Sequence, residues 1–371
     1  MSKGTTLFQQ VQALLPRAVF TRLVGEWRGD RKVHFVGCWS HFLCLMVALL
    51  TRCSSLRDIE AAVTPRLTFY RRFGLRSGRR CTVARANAHR PWEVVAEFFQ
   101  KLVVRCVSVT PPHSLPFTSR LYSLDATVVD VCATLFQWAQ VSPSQSMIKL
   151  LVVLDHHGLI PTVLRLTPSR MHEMKLARTL SFPPGSVLCF DRGFSDLTWF
   201  RTLAHQGCIF VTRLKAQMAF QTVKSFRPRG KGVHADRLIR FIGKHARCNY
   251  PECLRLIDYV AEDGQEYQFL TNQTTWSDST VCQVYKARWQ IEIFFRWIKQ
   301  NLKMKTFYGL SENAVRWQIW TAFCLYLLLS YLKYKLKLSW SLRQIQRALE
   351  RHLFETTTIP LLLTGKYRYR T

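Results

Sequence analysis

A chain of 371 residues with 53 Lys+Arg against 23 Asp+Glu carries a formal charge of +30. That excess is far beyond what solubility requires. It points to a polyanionic partner, nucleic acid first and an anionic membrane surface second. At 48% hydrophobic residues the composition excludes a disordered basic tail and allows a large core spread over two or three domains.

The first fifteen residues are polar, without the apolar stretch of a secretory signal, and end at Pro16. Helical spacing runs through Leu7–Leu15, Phe35–Arg52 and Ser55–Val63, with Ser54-Ser55-Leu56-Arg57-Asp58 as a helix start. The apolar runs Phe35–Leu50 and Trp317–Leu332 are each 16 residues long, short of the roughly 18 expected of a membrane span, so both are read as buried helices. A basic patch, Tyr70-Arg-Arg-Phe-Gly-Leu-Arg-Ser-Gly-Arg-Arg80, follows. Its arginines suit phosphate contacts, the alternative being a solvated loop. Val107–Pro116, with three prolines, reads as a linker.

From residue 120 the texture changes. Strands are expected at Leu121–Val131, Ile148–Leu154, Leu159–Leu166, Ser186–Phe190 and Cys208–Arg213, with helices at Glu173–Leu180 and Asp196–His205. That order matches an RNase H-like sheet. Residues 215–278 interrupt it with strands at Arg237–Ile242, Leu254–Val260 and Tyr267–Leu270, the last two joined at Glu262-Asp263-Gly264. The fold class is α/β: an RNase H-like mixed-sheet core with a β-rich insertion and helical regions at both ends. The expected domains are 1–110, helical and DNA-binding; 118–214, the first part of the core; 215–278, the insertion; 279–310, the core helix; and 311–371, helical.

That core helix starts in Tyr285-Lys-Ala-Arg-Trp-Gln-Ile-Glu-Ile-Phe-Phe-Arg-Trp-Ile-Lys299. At 100° per residue, Tyr285, Arg288, Glu292, Arg296, Lys299 and Lys303 share an arc of about 80°, while Val284, Ile291, Phe294, Ile298 and Leu302 share another. One acid among many bases is a face built for a polyanion beside a carboxylate. Two further acids interrupt or end apolar strands, Asp125 in Tyr122-Ser-Leu-Asp-Ala-Thr-Val-Val and Asp191 in Val187-Leu-Cys-Phe-Asp-Arg-Gly. A carboxylate there is costly unless paired or metal-bound. Hard oxygen donors suit Mg²⁺ or Mn²⁺, and two ions about 4 Å apart serve phosphodiester chemistry. Asp130 and Asp155 are rivals, read as strand-edge or turn acids.

The 12 cysteines have no CxxC pair, so no zinc site is expected and a reducing compartment is. His156 and His157 are read as solvated turn residues, and His172 as a turn or helix-start histidine. Trp289 and Trp297 flank the apolar face, where core packing and base stacking are both open readings.

Asp191-Arg-Gly, Leu124-Asp125 and the spacing Tyr285-x-x-Arg288-x-x-x-Glu292-x-x-x-x-x-x-Lys299 resemble the signatures of DDE transposases of bacterial insertion sequences. The last is similar to the motif of the insertion-sequence-four family. Leu56-Arg-Asp-Ile-Glu60, Arg90-Pro-Trp92, Phe182-Pro-Pro-Gly185 and Lys299-Gln-Asn-Leu302 extend the likeness over nearly the whole chain. Ala126, Leu151 and Phe194 depart from it, and none touches the acids. The resemblance implies an RNase H-like fold and Asp125, Asp191 and Glu292 as catalytic ligands of two Mg²⁺ or Mn²⁺ ions. It implies Tyr285, Arg288 and Lys299 on DNA; Arg296 and Lys303 are expected there from the shared helix face, and Trp289 as the neighbour of Arg288. The implied activity is cut-and-paste transposition through a DNA hairpin. Its implied partners are terminal inverted repeats, target DNA and a second copy of the chain, in the bacterial cytoplasm at the nucleoid and without a membrane. The alternative is a catalytically inactive, transposase-derived, sequence-specific DNA-binding protein.

Overall fold

The computed structural model describes residues 6–72, 74–131, 137–142, 145–168, 170–216, 218–301 and 307–364. The chain divides into two compact units, one made of Met1–Pro111, Val129–Met147 and Arg296–Thr371, the other of Pro112–Val128 and Ile148–Phe295.

The described α-helices are α1 (Leu7–Ala13), α2 (Arg17–Glu26), α3 (Cys38–Leu50), α4 (Leu56–Val63), α5 (Leu67–Arg71), α6 (Arg80–His89), α7 (Glu93–Val107), α8 (Glu173–Ala177), α9 (Leu197–His205), α10 (Lys244–Asn249), α11 (Asp278–Ala287), α12 (Trp289–Asn301), α13 (Glu312–Lys335), α14 (Leu342–His352) and α15 (Ile359–Thr364). The described strands are β1 (Leu121–Val131), β2 (Gln140–Ser142), β3 (Gln145–Asp155), β4 (Ile160–Pro168), β5 (Val187–Phe190), β6 (Ile209–Arg213), β7 (Phe220–Phe226), β8 (Val233–Phe241), β9 (Leu254–Val260) and β10 (Glu266–Thr271).

The first unit is helical. Every residue of α3 is buried, and α13 is buried along most of its length. A helix apolar on all sides belongs inside a core, and among the described residues no helix is long and apolar enough to cross a membrane. Ser55 caps α4 by accepting from the Asp58 N–H at 3.1 Å. In the basic patch Tyr70 and Leu75 are fully buried while Arg71, Arg72, Arg76, Arg79 and Arg80 are exposed, so buried anchors display the cations.

The second unit is built on a mixed sheet. Its strands run in the order β4-β3-β1-β5-β6-β10-β9-β8-β7. β1, β5 and β6 are parallel, paired Leu121↔Val187↔Ile209 and Ser123↔Cys189↔Val211. β5 is buried at every position, as a central parallel strand covered on both faces must be. Alternation sorts its side chains. Leu188 and Phe190 join Trp199, Phe200 and Leu203 of α9 on one face. Val187, Cys189 and Val211 join Val281, Val284 and Tyr285 of α11 on the other. The fold is α/β with an RNase H-like mixed sheet, and the insertion extends that sheet through β10, which pairs antiparallel with β6.

Most expected elements are present within a few residues. β7 and α10 were not expected. β7 is exposed at most positions and α10 buries none, so neither carries a hydrophobic signal. The single helix expected through Tyr285–Lys299 is two, meeting at Arg288. There the Arg288 N–H bonds the Tyr285 carbonyl at 3.1 Å and the Ile291 N–H bonds the Arg288 carbonyl at 3.0 Å. These tighter three-residue bonds replace the α-helical ladder while the chain stays right-handed at φ −51°, ψ −32°.

Asp278 fixes the start of α11. It is 4% exposed and accepts from the N–H groups of Arg229 (2.7 Å), Gly230 (3.0 Å) and Ser279 (2.6 Å), tying the basic β7–β8 turn to the helix. Burial alone would raise its carboxyl, but these hydrogen bonds hold it below the ordinary range. Asp278→Ala should lose about 1–2 kcal/mol in a denaturant melt at pH 7, because three partly buried backbone donors lose their acceptor. A depressed folded value means this stability is present above the ordinary carboxylate range and is lost as pH falls through the folded value. The gap between parent and variant should therefore close on acidification.

Candidate active site

The strand registers place the site. Leu121, Val187 and Ile209 form one transverse row, and Ser123, Cys189 and Val211 the next, both facing α11. Two residues further on, the same parity puts Asp125, Asp191 and Arg213 in one row, just past the carboxyl end of β5, at the end of β6 and where the parallel pairing of β1 stops. α11 and α12 bring Tyr285, Arg288 and Glu292 to that row.

Arg288 joins two of the acids. Its Nη2 lies 2.5 Å from Glu292 Oε1 and its Nη1 3.5 Å from Asp125 Oδ2. Arg213 takes the third, donating from Nε at 3.1 Å and Nη2 at 2.7 Å to Asp191 Oδ1, which also accepts from the Tyr285 hydroxyl at 3.3 Å. The Tyr285 ring, stacked on Phe269 with centroids 4.6 Å apart, is shared by both guanidiniums, Arg288 at 5.6 Å and Arg213 at 5.9 Å. Glu292 sits in the first turn of α12, where the helix dipole favours an anion.

The two aspartates are tuned apart. Burial pushes Asp125 up to about 6; the Ala126 N–H and Arg288 oppose this, and the charges of Glu292 and Asp191 add to it. Burial also raises Asp191, but the Arg213 hydrogen bonds, the Arg192 N–H and the charges of Arg213 and Arg288 outweigh it and hold Asp191 below the ordinary range. Burial drives the Tyr285 phenol well above its usual range, so it stays protonated and donates.

A cavity of about 930 Å³ opens beside the acids. Arg213, Lys286, Arg288, Tyr267, Tyr285 and Trp289 are among its lining residues. Trp289 is 51% exposed, so it is not a core residue. Trp297 packs edge-on against Tyr326, centroids 5.1 Å apart. Arg296 and Lys299 follow on α12 in the stretch assigned to the first unit, Arg296 exposed and Lys299 half-buried. Lys303 lies outside the described residues.

The rival acid Asp155 is fully buried, held by Arg120 at 2.5 Å and by the His157 N–H at 2.8 Å, and it shapes the β3–β4 turn. The side chain of Asp130 lies outside the described residues. The solvated reading of His156 is corrected. It is 8% exposed, its Nε2 lies 2.7 Å from Ser123 Oγ, and burial lowers it to about 4. His157 is half-buried. His172 caps α8, its Nδ1 accepting from the Met174 N–H at 3.2 Å. Arg213 was missed, although its place at the end of an apolar strand was a usable signal.

Among the described residues no three ligating side chains surround one point. The donor set nonetheless fits hard divalent cations. Three carboxylates share two cationic partners, and Asp125 and Glu292 reach the same guanidinium, so a compact cation there would meet both. The Arg288 Nε is buried without a hydrogen-bond partner, so the guanidinium does not satisfy the site fully.

The family model described as Transposase DDE domain matches residues 116–328, and a domain of unknown function (DUF4372) matches 3–66. The chain is 32% identical over 252 residues to the putative transposase y4zB of Sinorhizobium fredii, covering 67% of this chain and 69% of the relative. It is 26% identical over 263 residues, 70% of this chain and 69% of the relative, to a probable transposase for insertion sequence element IS5377 of Geobacillus stearothermophilus. A solved piggyBac transposase synaptic complex with hairpin DNA matches at TM-score 0.46 and 10% identity over 95% of this chain and 80% of its own, a likeness too weak to bear on function.

An acid raised in the folded state loses stability as pH climbs from its unfolded value to its folded one. In divalent-free buffer at pH 8, Asp125→Asn should therefore melt higher than the parent, by on the order of 1–3 kcal/mol of stability. The difference should shrink below pH 6 and vanish near pH 4, with Asp125 at about 6 and its ordinary value at 3.8. A variant that melts lower at pH 8 would contradict the assigned cost.

Proposed function

Starting from the fact that this chain belongs to the transposase DDE domain family, as a DNA transposase of the insertion-sequence-four type, we propose that Asp125, Asp191 and Glu292 are its catalytic carboxylates. The observation that supports this reading is that two neighbouring parallel strands and one helix bring the acids to a pair of arginines, Arg288 on Asp125 and Glu292 and Arg213 on Asp191. The family uses divalent metal ions; here two Mg²⁺ or Mn²⁺ ions would be held by these three side chains. Bound there, such ions lower the cost of the negative charge that develops at phosphorus and on the attacking and leaving oxygens.

The chain's own residues do the rest. Arg213, Arg288 and Lys286 border the cavity and give it positive charge for a phosphate backbone. Tyr285, kept protonated, is a donor to a phosphate oxygen rather than a nucleophile. No protein nucleophile is needed, since water opens the first bond and the freed 3′-hydroxyl attacks next. Trp289, exposed beside the acids, offers a flat face to a base. Arg296, Lys299 and Lys303 would extend the phosphate track along the backbone. Residues 1–110 would bind the terminal inverted repeats, with the exposed arginines of 71–80 on the backbone, 118–214 and 279–310 would form the catalytic core around the 215–278 insertion, and 311–371 would close the helical region. Two copies would pair two ends, in the cytoplasm at the nucleoid.

The test uses purified protein, a duplex carrying the element's own terminal repeat, and Mg²⁺. Glu292→Gln should abolish cleavage while repeat binding stays within about twofold. Cutting at the parental rate would remove the metal assignment. A parent protein that binds the repeat and never cuts would establish the inactive DNA-binding reading instead. Lys299→Ala should weaken binding across sequences and reduce the log–log salt slope by about one. An unchanged slope would exclude a phosphate contact.

A further inference from the structure

We propose that Arg288 is a resident counter-cation: it occupies the divalent position between Asp125 and Glu292 until DNA draws it onto a phosphate, so that metal loads tightly only with DNA. This rests on the reading that the three carboxylates hold divalent ions, and it adds what keeps them assembled beforehand.

Carboxylates brought close together repel one another and need nearby cations. Neutralisation comes from two guanidiniums. Arg213 holds Asp191, and Arg288, 12% exposed, spans Glu292 at 2.5 Å and Asp125 at 3.5 Å. A cation binding between Asp125 and Glu292 would compete for the same lone pairs, so Arg288 must leave.

Three features make that departure feasible. Arg288 Nε is buried without a partner, so the resting pose leaves one donor unmet. The guanidinium lies over the Tyr285 ring, itself stacked on Phe269, a fixed platform across which it can swing. The cavity on the outer side has Lys286 and Trp289 in its lining, so a phosphate drawn there by Lys286 would meet the outgoing guanidinium in the fork geometry arginine prefers. The exchange balances charge, because the guanidinium gives up carboxylates for a phosphate while the incoming ion takes the carboxylates. DNA and metal then favour the same rearranged state, which makes their binding mutually cooperative.

Mn²⁺ titrations of the full chain, followed by electron paramagnetic resonance, test this with and without a pre-cleaved terminal-repeat duplex. In the parent the duplex should tighten Mn²⁺ binding by about tenfold or more, the ordinary scale of coupling between sites. Arg288→Gln without DNA should already bind Mn²⁺ as tightly as the parent does with DNA, and the duplex should add little. Arg288→Lys keeps a cation beside the acids and should bind Mn²⁺ weakly without DNA, as the parent does. It decides the matter should the glutamine variant fail to fold. If Arg288→Gln binds Mn²⁺ no tighter than the parent, or Arg288→Lys binds as tightly without DNA as with it, Arg288 is not a placeholder. Asp125→Asn should lose Mn²⁺ binding throughout. If it does not, the metal assignment itself falls, and the placeholder with it.

Discussion

Like charges must be brought together and kept together, and the centre of this molecule is organised around that constraint. Asp125 and Asp191 stand side by side because β1 and β5 are parallel and in register, and Glu292 is laid over them by α12. Unscreened, the three would push the strand ends and the helix apart. Arg213 and Arg288 offset that repulsion, and both lie over the Tyr285 ring, Arg213 also over Tyr267.

The rest of the second unit supports that cluster. α9 and α11 cover opposite faces of the parallel strands, so the acids protrude from a sheet sealed on both sides. The insertion continues the sheet through β10 and β9, and Tyr267 and Phe269 of β10 line the cavity beside the arginines. Asp278 closes the frame by tying the β7–β8 turn to the start of α11. The charged cluster thus sits on elements fixed by apolar contacts and backbone hydrogen bonds.

Much of this was legible beforehand. β1 was expected at Leu121–Val131 and is there, because it is a β-branched, alternating run bounded by turn residues. Asp125, Asp191, Tyr285, Arg288 and Glu292 were all singled out, the acids by their cost in apolar surroundings and the rest by helical spacing. Tyr285, Arg288 and Glu292 meet as helical spacing suggested, but on two helices rather than one, since the bonds that tighten the chain at Arg288 depend on local geometry that periodicity does not encode. The solvated reading of His156 fails because a turn position suggests water, whereas its ring packs inward against Ser123 while the rest of the turn stays half-buried. β7 went unseen because an exposed edge strand has no apolar alternation to detect.

Residue identities and their spacing determined the polyanion partner, the α/β class, the three acids and the basic helix face. Charge, hydropathy and periodicity are local quantities, written along the chain. Apart from the i,i+4 pair Arg288–Glu292, which cation faces which carboxylate was decided only by tertiary structure. Arg213 lies 22 residues from Asp191 and Tyr285 lies 94 residues away. Their meeting depends on strand register and on the face that α11 covers. Those follow from the packing of the whole sheet, where a shift of one residue would send every one of these side chains to the opposite face.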